Sequence, residues 1–370
     1  MEKKRLSFLR LYTLHGGFVA ADTFGWALGF LYLYKHGIPM LWLLIFFLLQ
    51  YGAIYLVIAN SHKYSIRHLF VFSFCLRILA LIILSTLIAP YLVYLIGLLQ
   101  GLAIFAYWVP FNSIYFKLQT EKNRTFMTAV YAGITSLLSL LLPPIAGYVA
   151  QQFGYTAVFL ASVVLMFIPL CISFTMPHHE LEFDPASAAA RHKKLRSILL
   201  VQGIFDTISL AAIPLFVLLF IDSEIQLGFF LSYIGLAGVA GSFILAKIAD
   251  KHHTRKVFVY PLTILLGTLL ILLGFSAGNF YLFLVVSGLL STVTVLMAPF
   301  FVTMVFDNYR NVTEAVIARE MMLALGRVVG MLVLIVSFAV LKTPAYGFIA
   351  IGLVTWLYPY LVYKKGIYAH

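Results

Sequence analysis

The chain has 370 residues, of which 63% are hydrophobic and only 10% are charged. Soluble domains are about 45–50% apolar and about 25% charged, and a soluble chain of this length has no core large enough to hide so much apolar surface. The composition therefore excludes a soluble enzyme, a disordered chain and a fibrous repeat.

Charged residues, Pro and Gly divide the sequence into apolar runs that are long enough to cross a bilayer, which takes about 20 residues per helix. The runs predict twelve transmembrane spans, numbered in chain order, at 8–34, 38–60, 68–89, 91–117, 125–151, 154–176, 197–221, 225–249, 257–277, 279–306, 314–341 and 344–363. The loops between them are too short for a soluble catalytic or nucleotide-binding domain.

The loops on the two sides of the membrane differ in charge. One side has only two basic residues, Lys35 and Lys342, whereas the other side collects nearly all the remaining Lys and Arg. Cytoplasmic loops are enriched in Lys and Arg, so we predict a plasma (inner) membrane protein with both termini in the cytoplasm. The even number of spans agrees, and basic residues spread over alternate loops do not indicate nucleic-acid binding.

The longest polar stretch lies near the middle of the chain. It divides the sequence into an N-terminal six-helix bundle, a cytoplasmic linker and a C-terminal six-helix bundle, at 1–177, 178–196 and 197–370. Asp184 followed by Pro185 is a typical helix start, which predicts a short helix in the linker. The His and acidic residues near it lack the spacing of a metal site, and we expect neither a metal nor a cofactor.

The two halves of the sequence resemble each other at four places in the same order, with offsets from 184 to 190 residues. The matches are Asp22-Thr23 with Asp206-Thr207, 58–60 with 248–250, Pro110-Phe111 with Pro299-Phe300, and Asn123 and Thr125 with Asn311 and Thr313. Two parallel six-helix repeats related by an axis along the membrane normal are a transporter architecture.

The loop between spans 8 and 9 reads AKIADKHHTRK, at 246–256. It resembles the signature loop of the major facilitator superfamily through Asp250, Lys251, Arg255 and Lys256. The corresponding loop of the first half has Asn60 in place of the Asp. With the twelve spans, the resemblance covers the whole chain and implies an all-α membrane protein of two pseudo-symmetric six-helix bundles.

In that superfamily the motif Asp lies against the start of a helix in the opposite half, where the helix dipole attracts it. The resemblance implies that Asp250 contacts the start of span 5, near Thr125, when the cytoplasmic side is closed. Asn60 is expected to make the weaker equivalent contact at the start of span 11, near Thr313. The alternative is that Asp250 caps its own helix or pairs with a neighbouring basic residue.

Ionisable groups inside spans are costly in hydrocarbon and are usually functional. Asp22 lies 12 residues beyond Arg10, about 18 Å along span 1 and close to the midplane, and Asp206 lies at a similar depth in span 7. The resemblance implies that spans 1, 4, 7 and 10 line a central cavity. The other candidates for a proton-coupling or substrate site there are His15, Gln202, Trp26, Gln100, Trp108 and Asn112. The alternative is that both Asp residues are structural and paired within their own halves.

Three further charges lie within spans 3 and 11. Arg77 must find an anion or extend to the membrane surface, and Glu320 shares a helix face with Arg327, seven residues later. Because spans 5 and 11 flank the interface between the halves in the superfamily, we predict an inter-half network of Glu320, Arg327 and Arg77. The alternatives are that Glu320 and Arg327 bind an anionic group, and that Arg77 or Arg327 pairs with Asp22.

Span 5 contains Pro143 and Pro144, followed by Gly147. Pro144 and Gly147 coincide with a Gly- and Pro-rich segment of antiporter members of the superfamily, which hints at export. Proline has no N–H to donate, so we expect a kink whose freed carbonyls are bound by neighbouring groups.

These features predict a secondary active transporter, not an enzyme, that moves a small-molecule substrate by alternating access and is coupled to protons. The alternatives are an efflux pump for amphiphilic compounds or lipids, an uncoupled facilitator, and a sensor that does not transport. No Ser/His/Asp set or phosphate-binding loop supports a membrane enzyme. We expect a monomer whose surroundings are the lipid bilayer.

We predict that a cysteine introduced at position 190, in the linker, is protected from membrane-impermeant thiol reagents added to intact cells, because the positive-inside rule places the linker in the cytoplasm. Labelling of the same cysteine in inverted vesicles is the positive control. Labelling from outside intact cells would contradict the predicted orientation.

Overall fold

A computed structural model of the chain describes residues 2–60, 62–87, 89–118, 124–249, 256–307 and 311–367. The described α-helices are α1 (Glu2–Trp26), α2 (Gly29–Lys35), α3 (Met40–Ala59), α4 (Ile66–Thr86), α5 (Leu92–Leu118), α6 (Arg124–Phe153), α7 (Tyr155–Ser173), α8 (Pro185–Arg191), α9 (Arg196–Thr207), α10 (Ile213–Phe216), α11 (Glu224–Ala249), α12 (Lys256–Phe275), α13 (Phe280–Asp307), α14 (Val312–Leu341), α15 (Ala345–Thr355) and α16 (Leu357–Lys364).

This helix order confirms the predicted all-α membrane architecture. Eleven segments of the described chain are long and apolar enough to cross a membrane, and α1 with α2 supplies the remaining span, which starts with charged residues. Span 7 is interrupted between α9 and α10 by a π-helical segment, Ile208–Ala212. It precedes Pro214, which has no N–H for the preceding turn. Span 12 is divided into α15 and α16.

With twelve spans, both chain ends lie on one face of the molecule, here called the terminal face, and the opposite face is the far face. On the terminal face α8 begins where predicted, because the Asp184 carboxylate accepts the Ala186 N–H at 3.1 Å. Hydrogen bonds from the Ser187 hydroxyl and from this N–H hold the pKa of Asp184 below its usual value.

The terminal face also carries a two-stranded antiparallel sheet of β1 (Lys63–Ser65) and β2 (Glu180–Glu182), which joins the loop after span 2 to the linker. The Lys63 Nζ atom lies 2.7 Å from the Glu180 carboxylate and 3.1 Å from that of Glu182. The sequence analysis did not predict these strands, because three residues are too few to show the alternation of a strand.

The two halves meet through two helix pairs, α6 with α11 and α3 with α14. Glycines allow the first pair to approach closely. A Cβ atom on Gly228 of α11 would lie 2.6 Å from the Pro143 carbonyl oxygen, and one on Gly147 of α6 would lie 2.6 Å from the Glu224 carbonyl oxygen. Small residues at such contacts let helix backbones pack directly in a membrane.

The prolines that are expected to kink span 5 lie at the same contact. Pro144 has no N–H for the Leu140 carbonyl four residues earlier, and the Ser232 hydroxyl donates a hydrogen bond to that carbonyl at 2.5 Å. The expectation that a neighbour binds the freed carbonyl is confirmed, and the neighbour belongs to the opposite half.

An ion pair joins the halves at the far face. The Lys35 Nζ atom, at the end of α2, lies 2.6 Å from the carboxylate of Glu224, the first residue of α11. The Tyr155 hydroxyl donates to the same carboxylate at 2.7 Å. These three residues, Lys35, Tyr155 and Glu224, are the far-face clamp. A carboxylate at a helix N-terminus is also favoured by the helix dipole.

We predict that Gly228→Ala lowers the stability of the folded protein, because the new methyl group meets a backbone carbonyl, and such overpacking costs about 1–3 kcal/mol. Gly52→Ala is the matched control, since no atom lies within 4 Å of a Cβ there, and Ala is favoured over Gly in a helix by about 1 kcal/mol. Thermal unfolding in detergent, followed by size-exclusion chromatography, measures both. Equal shifts in the two variants would contradict close packing of α6 on α11.

Candidate functional site

A cavity of about 420 Å³ lies between the two halves. The first half supplies most of its wall, and Leu210, Pro214, Leu227 and Leu231 cover it from the second half. Its aromatic residues are Phe18, Trp26, Phe30, Phe46, Phe47 and Trp108, and its charged and polar residues are His15, Asp22, Thr23, Gln50, Arg77, Gln100, Thr135 and Ser139. The wall thus combines six aromatic residues with eight charged or polar ones.

The cavity brings together six of the residues predicted for the site and the network, namely His15, Asp22, Trp26, Arg77, Gln100 and Trp108. Five others do not line it, namely Asn112, Gln202, Asp206, Glu320 and Arg327. The sequence analysis missed Gln50 and the Phe residues of α3. Gln50 interrupts a long apolar run. This interruption marks the residue in the sequence but does not show that it faces the cavity.

Asp22 and Arg77 form an ion pair in the cavity wall, in which Arg77 Nη1 donates to Asp22 Oδ1. The Arg77 side chain is 3% exposed and that of Asp22 is 32% exposed, so the carboxylate is the more accessible member. The Arg77 guanidinium lies over the Phe18 ring, 4.5 Å from its centroid. Arg77 therefore pairs within the first half, which corrects its predicted place in an inter-half network.

Three residues of the cavity wall carry buried nitrogen donors that lack an acceptor among the described residues. They are Arg77 Nε, Trp26 Nε1 and Gln100 Nε2. A buried donor without a partner costs roughly 1–3 kcal/mol. These three donors of the wall are therefore unsatisfied in this state.

His15 joins α1 to two neighbouring helices. Its Nε2 lies 3.0 Å from the Thr135 hydroxyl and its Nδ1 lies 2.7 Å from the Tyr107 hydroxyl. Thr135 donates its own proton to the Tyr131 carbonyl at 3.1 Å, so its oxygen accepts from Nε2–H. Nδ1 shares a hydrogen bond with the Tyr107 hydroxyl, which can both donate and accept. The ring also stacks on Tyr131, with centroids 4.7 Å apart.

The second half has its own group of charges. Arg327 Nη2 lies 3.3 Å from Asp206 Oδ2, and Arg319 Nη1 lies 2.5 Å from Glu320 Oε1. Glu320 and Arg327 are thus each paired with a residue of their own half. The contact across the interface comes from Tyr51 of α3, whose ring centroid lies 5.8 Å from the Arg327 guanidinium.

Most of the signature loop lies outside the described residues, namely Asp250, Lys251 and Arg255, and only the backbone of Lys256 is described. In the state described, the Asn60 amide donates to the Leu56 carbonyl of its own helix at 2.7 Å. The Asn311 side chain caps α14 and accepts the Thr313 N–H at 3.1 Å. The contact of Asn60 near Thr313, which is expected for a closed cytoplasmic side, stays a prediction.

Two helical halves around an interfacial cavity define a multi-pass membrane transporter. The family model of the Major Facilitator Superfamily matches residues 12–331, and the chain belongs to this superfamily. It is 26% identical over 308 residues to an uncharacterised protein of Bacillus subtilis (strain 168), YqgE, with 75% of this chain and 70% of that protein covered.

Solved structures share the fold. A POT family transporter in complex with 5-aminolevulinic acid has a TM-score of 0.71 at 13% identity, covering 97% of this chain and 95% of that chain. The human organic anion transporter MFSD10 (TETRAN) has a TM-score of 0.69 at 16% identity, covering 97% of this chain and 99% of that chain. As expected for the superfamily, the cargo is a small molecule.

We predict that Arg77→Met destabilises the protein more than the double variant Arg77→Met/Asp22→Asn does. Removing one member of a buried ion pair costs about 3–5 kcal/mol because the other charge is left unpaired. Because Asp22 is partly exposed, we expect Arg77→Met to cost less than this range, about 2 kcal/mol. A double-mutant cycle on thermal unfolding checks the coupling. Additive effects of the two substitutions would contradict the pair.

Proposed function

We propose that this protein is a secondary active transporter that moves a small organic solute by alternating access and couples the movement to protons. The observation that carries the proposal is the Asp22–Arg77 pair in the wall of a cavity between two halves. We place the protein in the plasma membrane with its terminal face toward the cytoplasm, as the loop charges predict. The solved relatives, which include an organic anion transporter and a transporter with bound 5-aminolevulinic acid, support a small organic cargo.

Alternating access needs contacts between the halves that form and break. The far-face clamp joins the halves at the far face. The Ser232 to Leu140 hydrogen bond and the glycine contacts of α6 with α11 also join the halves, beside the cavity-lining residues Leu231 and Ser139. A rocking motion of the halves around the cavity breaks and forms such contacts in turn.

Proton coupling follows from the charge of the pair. Asp22 and Arg77 cancel each other while both are ionised, and protonation of Asp22 releases Arg77 from its partner. A single unpaired charge is costly in the membrane interior. The protonation state of Asp22 and the occupant of the cavity therefore depend on each other, which is the requirement for coupled transport.

The aromatic wall supports a second candidate, an efflux pump for amphiphilic compounds. Phe18, Phe30 and Trp108 offer apolar faces that bind the apolar part of many different solutes. The two candidates differ in selectivity and in direction of transport. Proteoliposomes that export several unrelated amphiphiles in a pH gradient would favour the pump, whereas flux that persists in a protonophore would favour an uncoupled facilitator.

We predict that Asp22→Asn abolishes accumulation of solute driven by a pH gradient in proteoliposomes, while binding of the solute remains measurable, because Asn cannot exchange a proton. Asp222→Asn, at an exposed loop position, is the matched control and is expected to accumulate solute as the wild type does. If the Asp22→Asn variant concentrates solute at the wild-type rate, Asp22 is structural and the coupling site lies at Asp206 or Glu320.

A further inference from the structure

We propose that the solute is an organic carboxylate with an aromatic body, and that its carboxylate replaces Asp22 on Arg77 while Asp22 takes up one proton. The inference rests on the transport function proposed above. It adds the chemical class of the solute and a stoichiometry of one proton for each carboxylate.

The first argument is the group of unpaired donors in the cavity wall. Arg77, Trp26 and Gln100 come from three different helices, α4, α1 and α5, and each has a buried N–H group with no acceptor in the described part of the chain. Arg77 and Gln100 are only 2% and 4% exposed. A carboxylate has two oxygens that accept several hydrogen bonds and fit a guanidinium in a bidentate manner. A primary amine, in contrast, brings only further donors and leaves these three N–H groups unpaired.

The second argument is the balance of charge. The ionised Asp22–Arg77 pair is neutral, so a carboxylate that enters beside it adds one negative charge at low dielectric. Transfer of one proton to the Asp22 carboxylate cancels this charge. The Arg77 guanidinium then forms its ion pair with the solute, and the Asp22 carboxyl becomes neutral. No covalent bond other than the O–H bond of Asp22 is formed.

Asp22 is the group that takes the proton, because the titratable side chains near it are already paired or hydrogen bonded. Besides Arg77 on α4, the titratable side chains on this side are His15 on α1, Tyr107 on α5 and Tyr131 on α6. Both nitrogens of His15 are already hydrogen bonded, to the Tyr107 and Thr135 hydroxyls. From α7, which also packs on α1, the contact at this level is the neutral Ser162, whose hydroxyl donates to the Ala21 carbonyl at 2.6 Å.

The third argument concerns the body of the solute. Rings of Phe18, Phe30, Phe46 and Trp108 line the same cavity as the pair, and aromatic rings favour stacked or edge-to-face partners. The cavity of about 420 Å³ lies in the range of roughly 300–1,000 Å³ that is typical of sites for small organic molecules. A flat ring that bears a short carboxylate arm matches both the rings and the donors.

Binding of three related probes to the purified full-length protein tests the class of solute. The probes are indole-3-acetate, its neutral amide indole-3-acetamide and the amine tryptamine, which share one ring system. We expect the carboxylate to bind about tenfold or more tightly than either of the others, because only it supplies the charged acceptor. Calorimetry in buffers of different ionisation enthalpy is expected to show uptake of one proton per carboxylate bound.

Substitutions test the roles of the individual groups. Asp22→Asn mimics the protonated carboxyl and is expected to tighten carboxylate binding, remove its pH dependence and remove the proton uptake. Trp26→Phe and Gln100→Leu are each expected to weaken binding several-fold and to keep the pH dependence. Arg77→Gln is expected to abolish binding. Arg67→Gln, on the same helix but bonded to the Met176 carbonyl at 2.8 Å, is the matched control and is expected to bind as the wild type does.

Equal affinity for the carboxylate and the amide, preference for the amine, absence of carboxylate binding, or binding without proton uptake would each overturn the inference. If Arg77→Gln does not fold, the Trp26→Phe and Gln100→Leu variants still decide it. These outcomes leave the proposed transport function standing. That function fails separately if proteoliposomes move none of a broad panel of anionic, neutral and cationic solutes with or without a pH gradient.

Discussion

A guanidinium group in the middle of a bilayer must have an anionic partner, and the pairing of Arg77 with Asp22 meets this requirement. The pair joins α4 to α1 across the first half and places the charge beside the Phe18 ring. One side of the carboxylate remains open to the cavity. The interaction that stabilises the first half is thus also the polar centre of the cavity, so a change in the protonation or the contents of the cavity acts directly on the packing of these helices.

Each half of the protein contains an Asp in an ion pair within the membrane, but the two pairs differ in their partners and surroundings. Asp22 and Asp206 occupy equivalent places in the sequence repeat, yet Arg77 belongs to span 3 and Arg327 to span 11, which are not equivalent spans. The first pair lines the cavity, whereas the second does not and lies against Tyr51 at the interface between the halves. The repeat therefore keeps the position of the carboxylate in both halves. The Arg that pairs with it comes from a different helix in each half, and the two ion pairs have different surroundings.

The bilayer explains how much of the fold was predictable. Span length and loop charge are set by the membrane, so hydropathy located the spans, and the cost of a buried charge marked Asp22, Arg77 and Arg327 as residues of interest. The partners of these charges were not predictable, because they depend on which helices touch and on how far a flexible Arg side chain reaches. For the same reason, the Arg319–Glu320 pair was missed, although the two residues are adjacent in sequence.

Short local features were also beyond the sequence. The strands β1 and β2 are three residues each and form only because the linker folds back on the loop after span 2. Gln50 joined the cavity wall through the packing of α3, which no single-span pattern reveals. By contrast, the start of α8 followed directly from Asp184 and Pro185, because an N-cap is a property of adjacent residues.

The hydrogen bond from Ser232 to the Leu140 carbonyl has a consequence for the energy difference between conformations. Because Pro144 has no N–H, the Leu140 carbonyl has no donor within its own helix in any state of the protein. The replacement donor is on the opposite half and is within reach only while α6 and α11 pack together. Separation of these two helices leaves the Leu140 carbonyl without a protein donor, so that water must hydrate it. A proline in one half thus makes the contact between the halves sensitive to the hydration of the gap between them.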